Sequence, residues 1–206
     1  MIGEDIIGVF ASLGDIGMLL ALVLIILIDG TGFPTLPEVW MIWILNTGWS
    51  EFVGQYHPFA WGFAVVMVAS LASLGGNFIL YSLVKIAKPP RWIRKAMKKY
   101  TDFLIVSDER LLLLNRLAPV VPYTGAFMAV CDWNVKKCAM YLIIGAMAKA
   151  SVVTVLSWLS YDNFRKELAP WIALGAVAVV MVVSIVASLM YKKKIGLGGG
   201  PARSQS

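Results

Sequence analysis

The chain has one histidine, His57, and two cysteines, Cys131 and Cys138, among 206 residues. That inventory cannot build a four-ligand zinc site or a disulfide framework. No metal or cofactor is expected, and both cysteines read as small apolar residues. Charge is equally scarce: 15% of residues are charged and 59% hydrophobic, with a mean hydropathy of +0.77. A soluble domain carries about 25% charged residues. So few charges cannot coat a 22.6 kDa globule, which excludes a water-exposed surface all round. Bases are missing altogether before Lys85; all 18 lie in the last 122 positions. The net charge of +6 therefore does not describe a nucleic-acid patch, and no nucleic-acid partner is expected. The first residues carry Glu4 and Asp5 and no base, unlike the n-region of a cleavable signal, so the first apolar segment is expected to be retained. No nucleophile elbow, metal motif or carboxylate dyad is present, and the terminal glycines Gly196–Gly200 follow no strand. The expectation is a non-enzyme in a bilayer, with membrane lipids as its surroundings.

A bilayer-crossing helix needs about 20 apolar residues. Residues 59–84 carry no charge, 138–160 carry only Lys149, and 168–191 run from Trp171 to Tyr191, as an aromatic belt would anchor them. Two other apolar stretches are broken. Residues 16–28 stop at a segment holding Asp29, Gly30, Gly32, Pro34, Pro37 and Glu38, and apolar sequence resumes to residue 49. The limbs, of about 13 and 11 residues, are each too short to cross. Residues 111–130 are broken by Arg116, Pro119 and Pro122. Proline removes a helical hydrogen bond, and broken backbone is tolerated at membrane depth only when protein or a water-filled cavity covers it. Both stretches read as re-entrant hairpins; the alternative is a pair of kinked spans.

Charge placement favours the hairpins. With Lys85 to Lys99 in the cytoplasm and 104–130 returning to the same side, 14 bases fall inside, two outside, and Arg116 and Lys149 remain at membrane depth. Were 104–130 a crossing, Lys192–Lys194 would lie outside, against the positive-inside rule. Residues 89–100 place Trp92, Ile93, Met97 and Tyr100 at helical spacing against five bases, which predicts a short interfacial helix; a solvated basic loop is the alternative.

The two hairpins share a Pro-x-x-Pro core at an offset of 85 residues, Pro34 and Pro37 matching Pro119 and Pro122. Trp49 and Trp133 close them at an offset of 84. A span rich in small residues follows each, and small residues let helices approach closely in lipid. Matched breaks in oppositely inserted halves point to a midplane transport site. The resulting fold class is an all-α integral membrane protein with an inverted repeat: two opposed hairpins, about three full spans and the interfacial helix. One domain covers 1–195 (repeat A about 13–86, repeat B about 104–160, an extra span 168–191), and 196–206 form a tail that is flexible by composition.

These residues resemble the DedA / VTT-domain membrane proteins (the SNARE-associated Golgi protein family) over about residues 20–160. The first loop of that family has an acid, Pro-x-x-Pro and Glu, which fall here on Asp29, Pro34, Pro37 and Glu38. Its next span has Gly-Asp and a later Tyr, here Gly76, Asn77 and Tyr81. Its second loop runs Arg-Phe-x-Pro-x-x-Arg or, in the branch nearer this chain, Arg-Leu-x-Pro-x-x-Pro, here Arg116 to Pro122, with Tyr123 and Gly145 beyond. Asn77 stands where the family often has Asp, Pro122 where it often has a second Arg, and Lys149 where Trp or Pro is more usual. The resemblance implies two re-entrant loops facing each other and transport of phosphate-headed lipids, as in polyprenyl-phosphate flippases or phospholipid scramblases.

Independently of that resemblance, Asp29, Glu38, Arg116 and Lys149 are ionisable residues in or beside broken apolar elements. On insertion scales each costs about 2.5–3.5 kcal/mol at a helix centre, so they must pair or face water. One reading is structural, two buried ion pairs. The other gives Arg116 and Lys149 a phosphate, for which a guanidinium fork and an ammonium are suited. Asp29 and Glu38 are then the coupling groups, with protons or sodium ions as candidate partners. Asn77, Tyr81 and Tyr123 are the candidate cavity-lining residues; Asn46, Asn77 and Asn115 line that cavity or bond a neighbouring helix.

The leading expectation is a lipid flippase or scramblase in the plasma membrane of a prokaryote, multi-pass, with its C-terminus cytoplasmic and homo-oligomerisation compatible. An ion-coupled small-solute carrier and a non-transporting assembly protein are the alternatives. A lipid transporter predicts a cavity open to the bilayer and lined by Arg116 and Lys149, a solute carrier a closed polar pocket. A scaffold predicts no cavity and direct contacts between acids and bases.

Overall fold

The structure is a computed structural model that describes residues 9–10, 13–33, 35–51, 58–102, 108–117, 123–163 and 168–194. These residues are mainly helical, with no strand among them. The helices are α1 (Gly14–Gly30), α2 (Pro37–Glu51), α3 (Pro58–Ala87), α4 (Arg91–Asp102), α5 (Leu111–Leu117), α6 (Thr124–Val130), α7 (Val135–Asn163) and α8 (Ala169–Lys194). Pro34, Pro119, Pro122, His57 and the tail lie outside the described residues.

Among the described residues, two helices are long and apolar enough to cross a membrane. Phe59–Ala87 and Val135–Asn163 each have 29 residues, about 43 Å at 1.5 Å per residue, with peak mean hydropathies of 2.0 and 1.8. They are apolar on all sides rather than along one stripe. Large apolar side chains accordingly face outward: Phe63, Leu71 and Ile79 on α3, Ile144, Val155 and Leu159 on α7. An exposed apolar belt of this kind suits lipid and penalises water. The fold is that of a helical protein consistent with a membrane setting. On α8, Ala169–Val180 is a shorter apolar run, with Trp171 exposed at its start.

The expected break between the first two apolar limbs is present, and narrower than expected. Asp29 and Gly30 fall in the last turn of α1, and Glu38 falls in the first turn of α2 rather than between the helices. Proline is accommodated at a helix start because its missing N–H would lack a helical partner there, so Pro37 opens α2 instead of interrupting it. Thr35 clips the junction. Its amide donates to Asp29 Oδ1 (3.3 Å), its hydroxyl donates to the Ile25 carbonyl (3.1 Å), and its own carbonyl accepts from the Trp40 indole (3.0 Å). Leu36, with φ +51°, turns the chain into α2; Tyr123, with φ +54°, does the same before α6. Left-handed backbone in a non-glycine residue costs about 1–2 kcal/mol and persists where packing holds it. At seven residues each, α5 and α6 are about 10 Å long and cannot span a bilayer singly. The basic segment is helical, as expected; Trp92 is exposed and Met97 packs against Leu111 and Phe127.

At the centre, α3 packs against α1, α6 and α7, while α2 lies against α1, α7 and α8. The main core joins Leu22, Ile42, Leu45, Trp61, Val65 and Val153, and a second cluster joins Leu112, Met128, Cys138 and Leu142. Glycine sets the closest approach. A Cβ on Gly76 would sit 2.9 Å from Gly30 Cα, and one on Gly30 would sit 2.8 Å from Gly76 Cα. The end of α1 therefore meets α3 backbone to backbone, which brings Asp29 beside α3.

Overpacking a tight contact costs about 1–3 kcal/mol. Gly76→Val is expected to lower stability by about that amount, read as a fall in Tm of the detergent-solubilised chain. Gly175→Ala, where an added Cβ meets nothing within 4 Å, is expected to leave Tm unchanged or slightly raised. Equal losses from both would show that the Gly30–Gly76 contact is not the constraint.

Candidate functional site

Asp29, Glu38, Arg116 and Lys149 come from four different helices and line one pocket. Asp29 reaches it from the end of α1, Glu38 from the start of α2, Arg116 from the last turn of α5, and Lys149 from the middle of α7. Small residues make the room. Ala69 and Ser73 on α3 and Ala146 and Ala150 on α7 form walls without long side chains. Gly145 acts differently, because a Cβ there would lie 2.7 Å from Arg116 Cγ. Its missing side chain is the slot for the arginine stem.

Within the pocket Lys149 Nζ pairs directly with Glu38 Oε1. The Glu38 side chain is 13% exposed and that of Lys149 35%, so the pair is closed on the acid and partly open on the base. Arg116 Nη2 donates to Ser73 Oγ at 2.8 Å, one of five donors a guanidinium offers. Asp29 and Glu38 are close enough to Arg116, and to each other, to interact electrostatically. Two acids and two bases leave the cluster formally neutral, which removes most of the cost of four isolated charges. The enclosed space is about 50 Å³, enough for a few waters at about one probe sphere of 10–15 Å³ each.

The other candidates lie elsewhere. Asn77 is buried, but its amide donates to the Ser73 carbonyl of its own helix at 2.8 Å; Asn46 does the same to Ile42. These are local bonds to the carbonyl four residues back. Tyr81 packs against the second core cluster, with Lys85 Nζ 5.7 Å from its ring centre. Tyr123 is exposed, and its ring covers Gly32: a Cβ on that glycine, at φ +108°, would be 2.6 Å from Tyr123 Cε1. The turn after α1 and the residue before α6 are thereby in contact. Pro37 is in the pocket wall. Ser73 carries no sequence signal as a site residue, because a serine in a stripe of small residues reads as packing. Among the described residues no group of three or more His, Cys, Asp or Glu could hold a metal. Cys138 is buried and Cys131 half-buried.

No family model, curated protein or solved structure matches the chain.

The arrangement combines a direct acid–base pair, the contact a scaffold predicts, with a half-open pocket lined by Arg116 and Lys149, which a scaffold does not. Removing one partner of a buried pair strands the other charge, at about 3–5 kcal/mol when burial is complete and about 1 kcal/mol or less at an exposed surface. Lys149→Gln, between those limits, is expected to cost about 2 kcal/mol. Adding Glu38→Gln is expected to recover most of it, read by thermal unfolding in detergent. Additive losses in the double variant would mean that the two side chains do not stabilise each other.

Proposed function

We propose that this chain is a membrane lipid transporter, a flippase or scramblase, that passes a phosphate-headed lipid through a polar site at mid-membrane. The observation that carries the reading is the convergence of Asp29, Glu38, Arg116 and Lys149 on one pocket where helices break. Charges at membrane depth are costly and are retained where they serve a path for a polar group. In this reading Arg116 and Lys149 receive the phosphate, and Glu38 yields Lys149 to it while Asp29 balances Arg116. The contact of Gly32 with Tyr123 supports two re-entrant hairpins that face each other. The placement of bases argues for several crossings, with Lys192–Lys194 and the C-terminus in the cytoplasm. The resemblance to the DedA / VTT-domain proteins points the same way, and protons or sodium ions are the coupling ions the two acids would serve.

The modest size of the pocket favours a second reading, an ion-coupled carrier of a small anionic solute. The Glu38–Lys149 pair favours a third, an assembly protein whose charges only hold helices together.

The test is leaflet exchange of fluorescent lipids in proteoliposomes, with phosphate-headed and neutral-headed probes compared. Wild type is expected to accelerate exchange of the phosphate-headed probe. Arg116→Ala and Lys149→Ala are expected to slow it at least tenfold, about 1.4 kcal/mol, and Lys85→Ala to leave it unchanged. Exchange equal to empty liposomes, with uptake of a soluble anion, would favour the carrier; neither activity would favour the scaffold.

A further inference from the structure

A second cavity, of about 270 Å³, lies between α3 and α7 and is lined almost wholly by apolar side chains. Phe63 and Val66 form one wall, Met147 and Val155 the other, and Trp158 lies among the lining residues at one end. Phe63, Met147 and Val155 are exposed, so the groove opens outward onto the apolar belt. At its floor the two helices meet closely, since a Cβ on Gly62 would sit 3.0 Å from Thr154 Cγ2. The aromatic end is packed: Trp158 lies edge-on to Trp49 at 5.2 Å and 6.0 Å from Phe59.

The groove and the charged pocket lie along the same two helices. On α3, Val66 lines the groove, and Ala69, one turn on, lines the pocket. On α7, Ser151 and Thr154 line the groove, while the residues before them, Ala150 and Val153, line the pocket. From Ser73, the partner of Arg116, to Val66 is seven residues, about 10 Å of helix; from Lys149 to Trp158 is nine, about 13 Å. An anionic group held by Arg116 and Lys149 would thus have an apolar groove, open toward lipid, further along the same two helices.

We infer that the α3–α7 groove is a binding site for a hydrocarbon chain of the same lipid whose phosphate head occupies the charged pocket. The inference rests on the headgroup reading above. Its distinguishing property is tethering: the chain in the groove is there because its head is held, whereas a boundary lipid would occupy the groove whatever its head.

The experiment uses the full chain in phosphatidylcholine proteoliposomes and two photoreactive probes, a long-chain alkyl monophosphate and the corresponding alcohol, each with a diazirine near the chain end. Labelled residues are mapped by peptide mass spectrometry. The phosphate probe is expected to label 59–66 and 147–158 at least tenfold more than the alcohol. Ser151→Trp and Val155→Trp, which fill the groove from its exposed side, are expected to reduce that labelling at least tenfold with Tm unchanged. Arg116→Ala is expected to bring the phosphate probe down to the level of the alcohol. Phosphate-dependent labelling concentrated on other segments would overturn the groove and leave the headgroup site standing. Equal labelling of 59–66 and 147–158 by both probes would overturn the groove as a tethered site and the headgroup reading with it.

Discussion

In an apolar medium a charged side chain must meet a counter-charge or reach water, and the packing of this chain follows from how four charges do so. Glu38 and Lys149 are 111 positions apart, and their pairing holds the first turn of α2 against the middle of α7. Arg116 reaches the same pocket only because Gly145 leaves a slot for its stem, and it ends on a hydroxyl of α3 rather than on solvent. Asp29 arrives because Gly30 and Gly76 allow the end of α1 to touch α3. The small residues along α3 and α7 thus do more than ease helix contact. They set how near the charges can come to one another, and so what burying them costs.

Backbone polarity imposes the second constraint. Where a helix stops short, its last carbonyls and the next helix's first amides need partners. The amides of Thr31, Gly32 and Phe33 take up the carbonyls of Leu27, Ile28 and Asp29, and Thr35 adds three hydrogen bonds, to the Asp29 side chain, the Ile25 carbonyl and the Trp40 indole. The junction is therefore ordered by the same residue that holds Asp29. Strain at Leu36 is the cost of turning within so few residues, and Tyr123 bears the same strain before α6. That each left-handed residue precedes a helix bordering the charged pocket, or a helix packed on α3, links chain reversal to site construction.

Much of this was legible in the sequence because the relevant signals are local. An uncharged run predicted 59–84 and the helix is Pro58–Ala87; the run 138–160 lies within Val135–Asn163. Helical spacing of Trp92, Ile93 and Met97 against bases located α4. The four charges of the pocket were legible as anomalies, since each lies in or beside an apolar element. Their partners were not, because pairing is decided by tertiary approach across α1, α2, α5 and α7. Ser73 was invisible for the same reason: nothing near it in sequence separates a hydroxyl that receives Arg116 from one that merely packs. Asn77 stood out as a polar residue in a span, and its amide donates within its own helix. Proline marked the break correctly but too broadly, since it is disruptive inside a helix and favourable at its start.

The asymmetry of the Glu38–Lys149 pair bears on how such a pocket would work. The carboxylate is the more enclosed partner and the ammonium the more open, so an anion arriving from outside meets Lys149 first. Replacing a carboxylate by a phosphate on Lys149 exchanges one anion for another and leaves the base compensated throughout. The cost falls on Glu38, which must then find water, a proton or the nearby Arg116. A pocket of about 50 Å³ holds too little water to solvate a freed carboxylate fully, so release of Glu38 and widening of the pocket have to occur together. On the proposed reading the closed pair is the resting state. Lys149 and one wall of the groove belong to the same helix, so a headgroup taken up by Lys149 would lie along the groove without a further rearrangement of α7.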